Sequence, residues 1–311
     1  MRKNNIYLDG IMGLVVGDAV GVPYEFKSRK TMKLYPATGM IGYGTHYQSK
    51  GTWSDDSSMT IATLESLKYN ESLDEMMYRF NDWYRNGEYT ATGVMFDIGG
   101  TTARAINNYG KHKNIFTCGE TSINSNGNGS LMRILPACIY CFKKYRRGAE
   151  ETELVNYIHR VSSLTHAHMI SKMACGFYYF MVKNIILRGI DGIRDGIDQA
   201  FEFYKGYKEL KEFRRLENVK EFAKTEEKHI RSGGYVLDSL EASIWCLLNT
   251  KTYKDCILKA VNLGSDTDTT AAITGGLAGI VYGYNGIPKT WVNNIKKKNN
   301  IIRLCKMEAD F

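Results

Sequence analysis

Leu263-Gly-Ser-Asp-Thr-Asp-Thr-Thr-Ala-Ala-Ile-Thr-Gly-Gly-Leu-Ala-Gly279 sets Asp266, Asp268 and Thr269 side by side, then continues in small and apolar residues. A helix of that composition has no polar face and belongs in a core. Ionised carboxylates at the start of a core helix need a paired charge or a metal. Far upstream, Trp53-Ser-Asp-Asp-Ser-Ser-Met59 supplies Ser54, Asp55 and Asp56. Together the two turns offer four carboxylates and two hydroxyls. These are hard oxygen donors, suited to Mg²⁺ or Mn²⁺, whereas zinc more often takes His and Cys. Either turn alone reads as a helix cap complementing a helix dipole. The two together, with matching hydroxyls, favour a metal centre. Acids one or two apart diverge inside a helix but can converge on cap turns. Two such turns could hold two cations about 4 Å apart.

Outward from these turns the chain reads as helices joined by glycine-rich loops. Residues 6–21 are rich in Gly and Ala and predict a closely packed helix, broken by Val22-Pro-Tyr-Glu-Phe26. Residues 36–51 carry four glycines around Tyr43, His46 and Tyr47 and read as a loop. Ser54 or Asp55 should cap a helix with Met59, Ala62 and Leu67 on one face. Residues 73–86 form another helix, ended by Asn86-Gly87. Residues 93–102 read as a glycine turn opening the next helix, and the dense turn Ser125-Asn-Gly-Asn-Gly-Ser130 as the lead into a helix from about Leu131. Residues 152–164 and 170–186 are helical, and 189–230 helical, charged and the most exposed part. Leu237, Leu240, Ile244, Leu247 and Leu248 stripe a helix, and a last one starts near Thr290 with Trp291, Ile295, Ile302 and Cys305 on one face. No period-two strand and no repeat is visible. The fold class expected is all-α: a single compact multi-helix domain over residues 1–311, its glycine-rich loops gathered on one face.

At 43% hydrophobic residues over 311 the chain can bury a sizeable core. The longest apolar run noted, residues 271–284, is too short and glycine-rich to span a membrane, and the N-terminus lacks the apolar core of a signal peptide. Seven cysteines without framework spacing indicate reduced thiols, hence a cytoplasmic protein. Cys138-Ile-Tyr-Cys141 has no second pair for zinc and reads as buried thiols. The net charge of +8 is spread among acids, as in residues 208–217, so no nucleic-acid stripe is expected. No membrane partner is expected either, and a monomer is.

Weaker signals lie between. The amides of Asn126-Gly-Asn-Gly-Ser130 are free of Cβ obstruction and suit a diphosphate, though by itself the motif is a plain turn. His166 and His168, two apart, should point in different directions. Glu25, after a Gly-Val-Pro break, reads on its own as a solvated carboxylate.

In this order the pieces resemble the ADP-ribosylglycohydrolase family, which includes the dinitrogenase-reductase-activating glycohydrolases. The matching stretches are Gly13-Leu-Val-Val-Gly-Asp-Ala-Val-Gly-Val-Pro-Tyr-Glu-Phe26, Gly51-Thr-Trp-Ser-Asp-Asp-Ser-Ser-Met59, Phe96-Asp-Ile-Gly99, Gly127-Asn-Gly-Ser-Leu-Met-Arg133, Leu164-Thr-His166, Ser232-Gly-Gly-Tyr-Val236 and Gly264-Ser-Asp-Thr-Asp-Thr-Thr270. The resemblance implies an all-α hydrolase that cuts ADP-ribose from a modified protein side chain at a centre of two Mg²⁺ or Mn²⁺. Its partners would be an ADP-ribosylated protein or conjugate, with ADP-ribose as product. It makes Ser54, Asp55, Asp56, Asp266, Asp268 and Thr269 the metal ligands, and Glu25, Asp55, Asp56 and Asp266 the catalytic acids. It sets Gly127, Asn128, Gly129 and Ser130 at the diphosphate, His166 at the ribose, Asp97 at the leaving group, and Gly100, Gly233 and Tyr235 against substrate. Ser54 stands where some relatives have threonine and keeps the hydroxyl. Ribosyl C1″ cleavage passes through an oxocarbenium-like state that needs a positioned water, which suits these acids.

Other readings compete. The dehalogenase-type phosphatase motif D-x-D-x-T fits residues 266–270 but needs a buried strand before it, usually early in the chain. The D-D-x-x-D of isoprenoid synthases fails because Met59 replaces the third acid. A non-catalytic ADP-ribose-binding module would not need an intact ligand set. The linkage cut (arginine, serine or a free conjugate) stays open at this stage.

Overall fold

The computed structural model describes residues 5–307. Among them the regular structure is helical: α1 (Ile6–Gly21), α2 (Arg29–Leu34), α3 (Asp55–Tyr69), α4 (Leu73–Asn86), α5 (Gly100–His112), α6 (Leu135–Tyr145), α7 (Glu151–Ser163), α8 (Met169–Arg188), α9 (Gly192–Phe203), α10 (Val219–Ala223), α11 (Val236–Leu248), α12 (Tyr253–Asn262), α13 (Thr267–Tyr282), α14 (Lys289–Asn294) and α15 (Lys298–Lys306). No sheet forms among the described residues, only isolated bridges pairing Tyr43 with Gln48, Glu120 with His166 and Gly127 with Tyr235. The fold is all-α, as expected.

The centre is the pair α1 and α13. Glycines let their backbones touch. A Cβ on Gly13 would lie 2.3 Å from the Gly275 carbonyl oxygen, and one on Gly17 2.1 Å from that of Ala271. At Gly21 it would lie 2.4 Å from Asp268 Cα. The four-residue spacing of these glycines puts them on one ridge, and side chains there would force the helices apart. The two helices therefore share a buried seam that ends at Asp268. Around it, α3 and α6 pack on α1, and α8, α11 and α12 pack on α13.

The sequence-based boundaries hold for α1 and α4 and shift elsewhere. The helix expected from Leu131 starts at Leu135, with Pro136 in its first turn, the position where a missing N–H costs nothing. Residues 189–230 are not one exposed helical arm: α9 and α10 alternate with 3₁₀ turns at Lys208–Leu216 and Glu227–His229. Tyr204 and Phe213 are buried there, and the Phe213 ring stacks on Phe177 at 4.5 Å. The last helix is two, because Lys297 takes φ +45° between α14 and α15. Ile301 is then fully in the core, and Ile302 packs against it only partly buried. The longest apolar segment is Ile6–Tyr24, not residues 271–284. By length and composition it could cross a membrane, but 89% of that window is buried inside the protein.

Candidate active site

The two acidic turns meet. Ser54 is the N-cap of α3 and Asp266 that of α13. Thr269 Oγ1 donates to Asp56 Oδ2 at 3.2 Å across the 213 residues that separate them. Ser54 Oγ lies 3.1 Å from the same Asp56 oxygen. Asp266 Oδ2 accepts from the Asn128 side-chain amide at 2.8 Å, which ties the glycine turn to the acids. Asp55 and Asp266 face a cleft of about 350 Å³. Asp56 and Asp268 lie beneath it, each 1% exposed.

Burial raises every one of these acids, and the neighbouring charges add to it for Asp55, Asp56 and Asp268, whose carboxyls rise well above the usual range. Asp266 is raised too, with the Asn128 hydrogen bond opposing the shift. Three buried oxygens, Asp56 Oδ1, Asp266 Oδ1 and Asp268 Oδ2, have no hydrogen-bond partner. Unpaired carboxylate oxygens at such depth are costly unless protonated or bound to a cation.

Glu25 is not solvated: it is 5% exposed. Its loop is tied to the α13 turn by Phe26 N–H donating to Ser265 O and Ser265 N–H donating to Lys27 O, both at 2.7 Å. Its carboxylate meets His46 Nε2. Burial lifts Glu25 to about 7, against the pull of that hydrogen bond. One ligand atom from each of Glu25, His46, Asp97 and Asp268 lies within 4.8 Å of the others. Asp97, at φ +57°, and Gly100 line the cleft.

On the opposite side the cleft is walled by Gly127, Asn128, Gly129 and His166. Burial drives the His166 imidazole down to about 3, so it is neutral. Asn128 N–H is committed to Gly234 O at 3.0 Å. Ser130 is fully buried, its hydroxyl bonded by Ser162 Oγ at 2.9 Å, so the side chain points away from the cleft. Gly234, rather than Gly233 or Tyr235, lines the cleft. His168 points elsewhere, as the spacing suggests: Nδ1 accepts at the start of α8. All seven cysteines are free and buried.

Sequence reasoning passed over two residues. Asp18, fully buried in α1, accepts from the backbone N–H of both Ser54 and Ser57 and lies within hydrogen-bond reach of both hydroxyls. It thereby holds the first turn of α3. Burial raises it to about 6 despite these bonds. An acid inside Gly-Leu-Val-Val-Gly-Asp-Ala-Val was the available signal. His46 had none beyond its loop.

The sequence profile of the ADP-ribosylglycohydrolase family matches residues 2–310. ADP-ribosylarginine hydrolase Tri1 of Serratia proteamaculans (strain 568) is 33% identical over 298 residues, covering 95% of this chain and 76% of the relative. The ADP-ribosyl-[dinitrogen reductase] glycohydrolase of Rhodospirillum rubrum is 28% identical over 304 residues, covering 94% and 90%. A solved structure described as an ADP-ribosylglycohydrolase-related protein complex superposes with a TM-score of 0.78 at 26% identity, over 98% of this chain and 97% of that one. With the family profile matched along nearly its whole length and its fold shared with a solved relative, the chain belongs to the ADP-ribosylglycohydrolase family of glycosidic-bond hydrolases.

Proposed function

We propose that this enzyme hydrolyses the bond between C1″ of ADP-ribose and the guanidinium of a modified arginine, at a centre of two Mg²⁺ or Mn²⁺ held by Ser54, Asp55, Asp56, Asp266, Asp268 and Thr269. The observation that carries the reading is the set of three unpartnered, buried carboxylate oxygens where the two acidic turns converge. The six named side chains are all oxygen donors, which fit hard divalent cations. The relatives named as acting on ADP-ribosylated arginine or dinitrogen reductase support the substrate class.

Bound there, the cations would offset the carboxylate charge and acidify a water beside the ribose. The chain's own residues do the rest. Asp55 and Asp266, facing the cleft, take the proton of the attacking water. The Gly127 and Gly129 amides cradle the diphosphate, and neutral His166 touches the ribose. Asp97 faces the leaving group, where a carboxylate can bind a guanidinium through two hydrogen bonds. Glu25 orients the ribose between Asp97 and Asp268. The seven buried free thiols support a cytoplasmic location.

The test is incubation with arginine- and with serine-ADP-ribosylated proteins, with Mg²⁺ or Mn²⁺ and with chelator, reading free ADP-ribose. Release from the arginine substrate, abolished by chelator and restored by either ion, is expected. Release from the serine substrate alone would overturn the arginine assignment.

A further inference from the structure

Residues 41–48, Ile-Gly-Tyr-Gly-Thr-His-Tyr-Gln, form a tight hairpin closed by Tyr43 N–H donating to Gln48 O at 2.5 Å. The hairpin is pressed onto the segment that carries Glu25. Gly44 adopts φ +69°, and a Cβ there would fall 2.1 Å from the Pro23 carbonyl oxygen, so only glycine permits the approach. Thr45 Oγ1 donates to the Glu25 carbonyl at 2.7 Å. These contacts deliver His46 Nε2 onto Glu25 Oε2. The imidazole is then caught between two rings, Phe26 at 5.9 Å and Phe96 at 5.3 Å. Both partners of the pair are shielded, their side chains 16% and 7% exposed.

The consequence for Glu25 is direct. Among the described residues His46 is its side-chain partner, while Asp97 and Asp268 each place a carboxyl oxygen in the same space, within 4.8 Å. Without a donor on its far side the carboxylate would swing away from those acids. We infer that His46 is a positioning residue for the hydrolysis: wedged between Phe26 and Phe96, it holds the Glu25 carboxylate in its place over the acidic centre. The role rests on the hydrolase reading above. It assigns the loop 36–51 a part in turnover rather than in substrate affinity, because His46 touches Glu25 and not the cleft's diphosphate wall.

The test compares His46→Leu, which keeps bulk and removes the donor, with His46→Gln, which restores an N–H donor. Each is made in the wild-type and in the Glu25→Gln background, and assayed for ADP-ribose release from an arginine-ADP-ribosylated protein. His46→Leu should lower kcat roughly 10–100-fold, the usual cost of losing a residue that orients a functional one. KM and Mn²⁺ affinity by titration should change less than about twofold, within the scatter of an interaction the residue does not make. His46→Gln should recover most of the loss. In the Glu25→Gln background His46→Leu should cost nothing further, because two residues that act through one contact are not additive. Equal losses in both backgrounds, or wild-type turnover in His46→Leu, would overturn the role. So would a ¹⁴N coupling in the electron-spin-echo spectrum of the Mn²⁺-loaded protein that His46→Gln abolishes, since His46 would then be a metal ligand. Absence of turnover in the wild type would instead sink the hydrolase reading, and this role with it.

Discussion

Asp266 holds one oxygen on the Asn128 amide and leaves the other bare. Replacing it by Asn keeps size and one acceptor and removes the charge. The Asp266→Asn protein should fold, bind Mg²⁺ much more weakly in calorimetry, and hydrolyse substrate at least ~100-fold more slowly, as when a positioned catalytic group is lost. Full activity at limiting Mg²⁺ would end the metal mechanism. Gly129 makes a second point. A Cβ there would meet Thr102 Oγ1 at 2.8 Å and His166 Cε1 at 2.9 Å. Gly129→Val should therefore weaken ADP-ribose binding roughly tenfold or more, as overpacking of 1–3 kcal/mol implies, while Mg²⁺ binding stays as it was. Unchanged ADP-ribose affinity would move the diphosphate elsewhere. At this scale the acidic turns are legible in the sequence because an acid beside an apolar run demands a partner. Asp18 carries the same signal, but what it serves, the amides of Ser54 and Ser57, is visible only once α1 and α3 are side by side. Nothing near His46 distinguishes it from a solvated loop histidine. Its partner lies 21 residues upstream and is reached only through the fold.

At the scale of elements, the glycine seam between α1 and α13 does two jobs along its length. In the middle it is packing alone, and Gly17→Ala would drive a methyl into the Ala271 carbonyl. That change should cost about 3 kcal/mol or more, read as a lower urea midpoint, with metal affinity kept in whatever remains folded. At its end the seam abuts Asp268, so Gly21→Ala should weaken Mg²⁺ binding although it alters no ligand. Equal Mg²⁺ affinities in the two variants would show the seam to be uncoupled from the site. Residues 6–21 and 73–86 could be delimited from sequence because stop signals end them, Val22-Pro23 and Asn86-Gly87; the structure adds caps at their starts, where Asn5 and Ser72 each accept from the helix's first turn. Residues 189–230 could not. Their charges give a helical rhythm, while the Phe177, Tyr204 and Phe213 rings that bend the chain inward are far apart in sequence. The break at Lys297 is likewise a tertiary matter, with its amine reaching the Thr90 carbonyl at 2.7 Å.

For the molecule as a whole, the raised carboxyls set how metal and pH act together. In the metal-free protein Asp55, Asp56 and Asp268 keep protons that the unfolded chain has already released, so their folded-state values lie above the unfolded ones. Stability from that source is present at low pH and is lost as pH rises through the window above the ordinary carboxyl range. Divalent ions must displace the same protons, so their affinity climbs with pH. Buried His159 and His166, lowered to about 4 and about 3, lose stability on acidification, but equally with and without metal. The gain in Tm on adding Mg²⁺ should thus grow from about pH 5 to 8, reaching roughly 5 °C at a hundredfold excess over Kd. A gain independent of pH would mean that the ion binds elsewhere. The seam has one more consequence, in time rather than space. Thr267 Oγ1 donates to the Gly21 carbonyl across 246 residues, and the Glu25 loop is bonded to Ser265. A growing polypeptide on the ribosome holds α1 long before α13 exists, with an apolar helix waiting for its mate. The enzyme is therefore incomplete through most of its own synthesis, and any message cut short before α13 yields a product without Asp268 and Thr269.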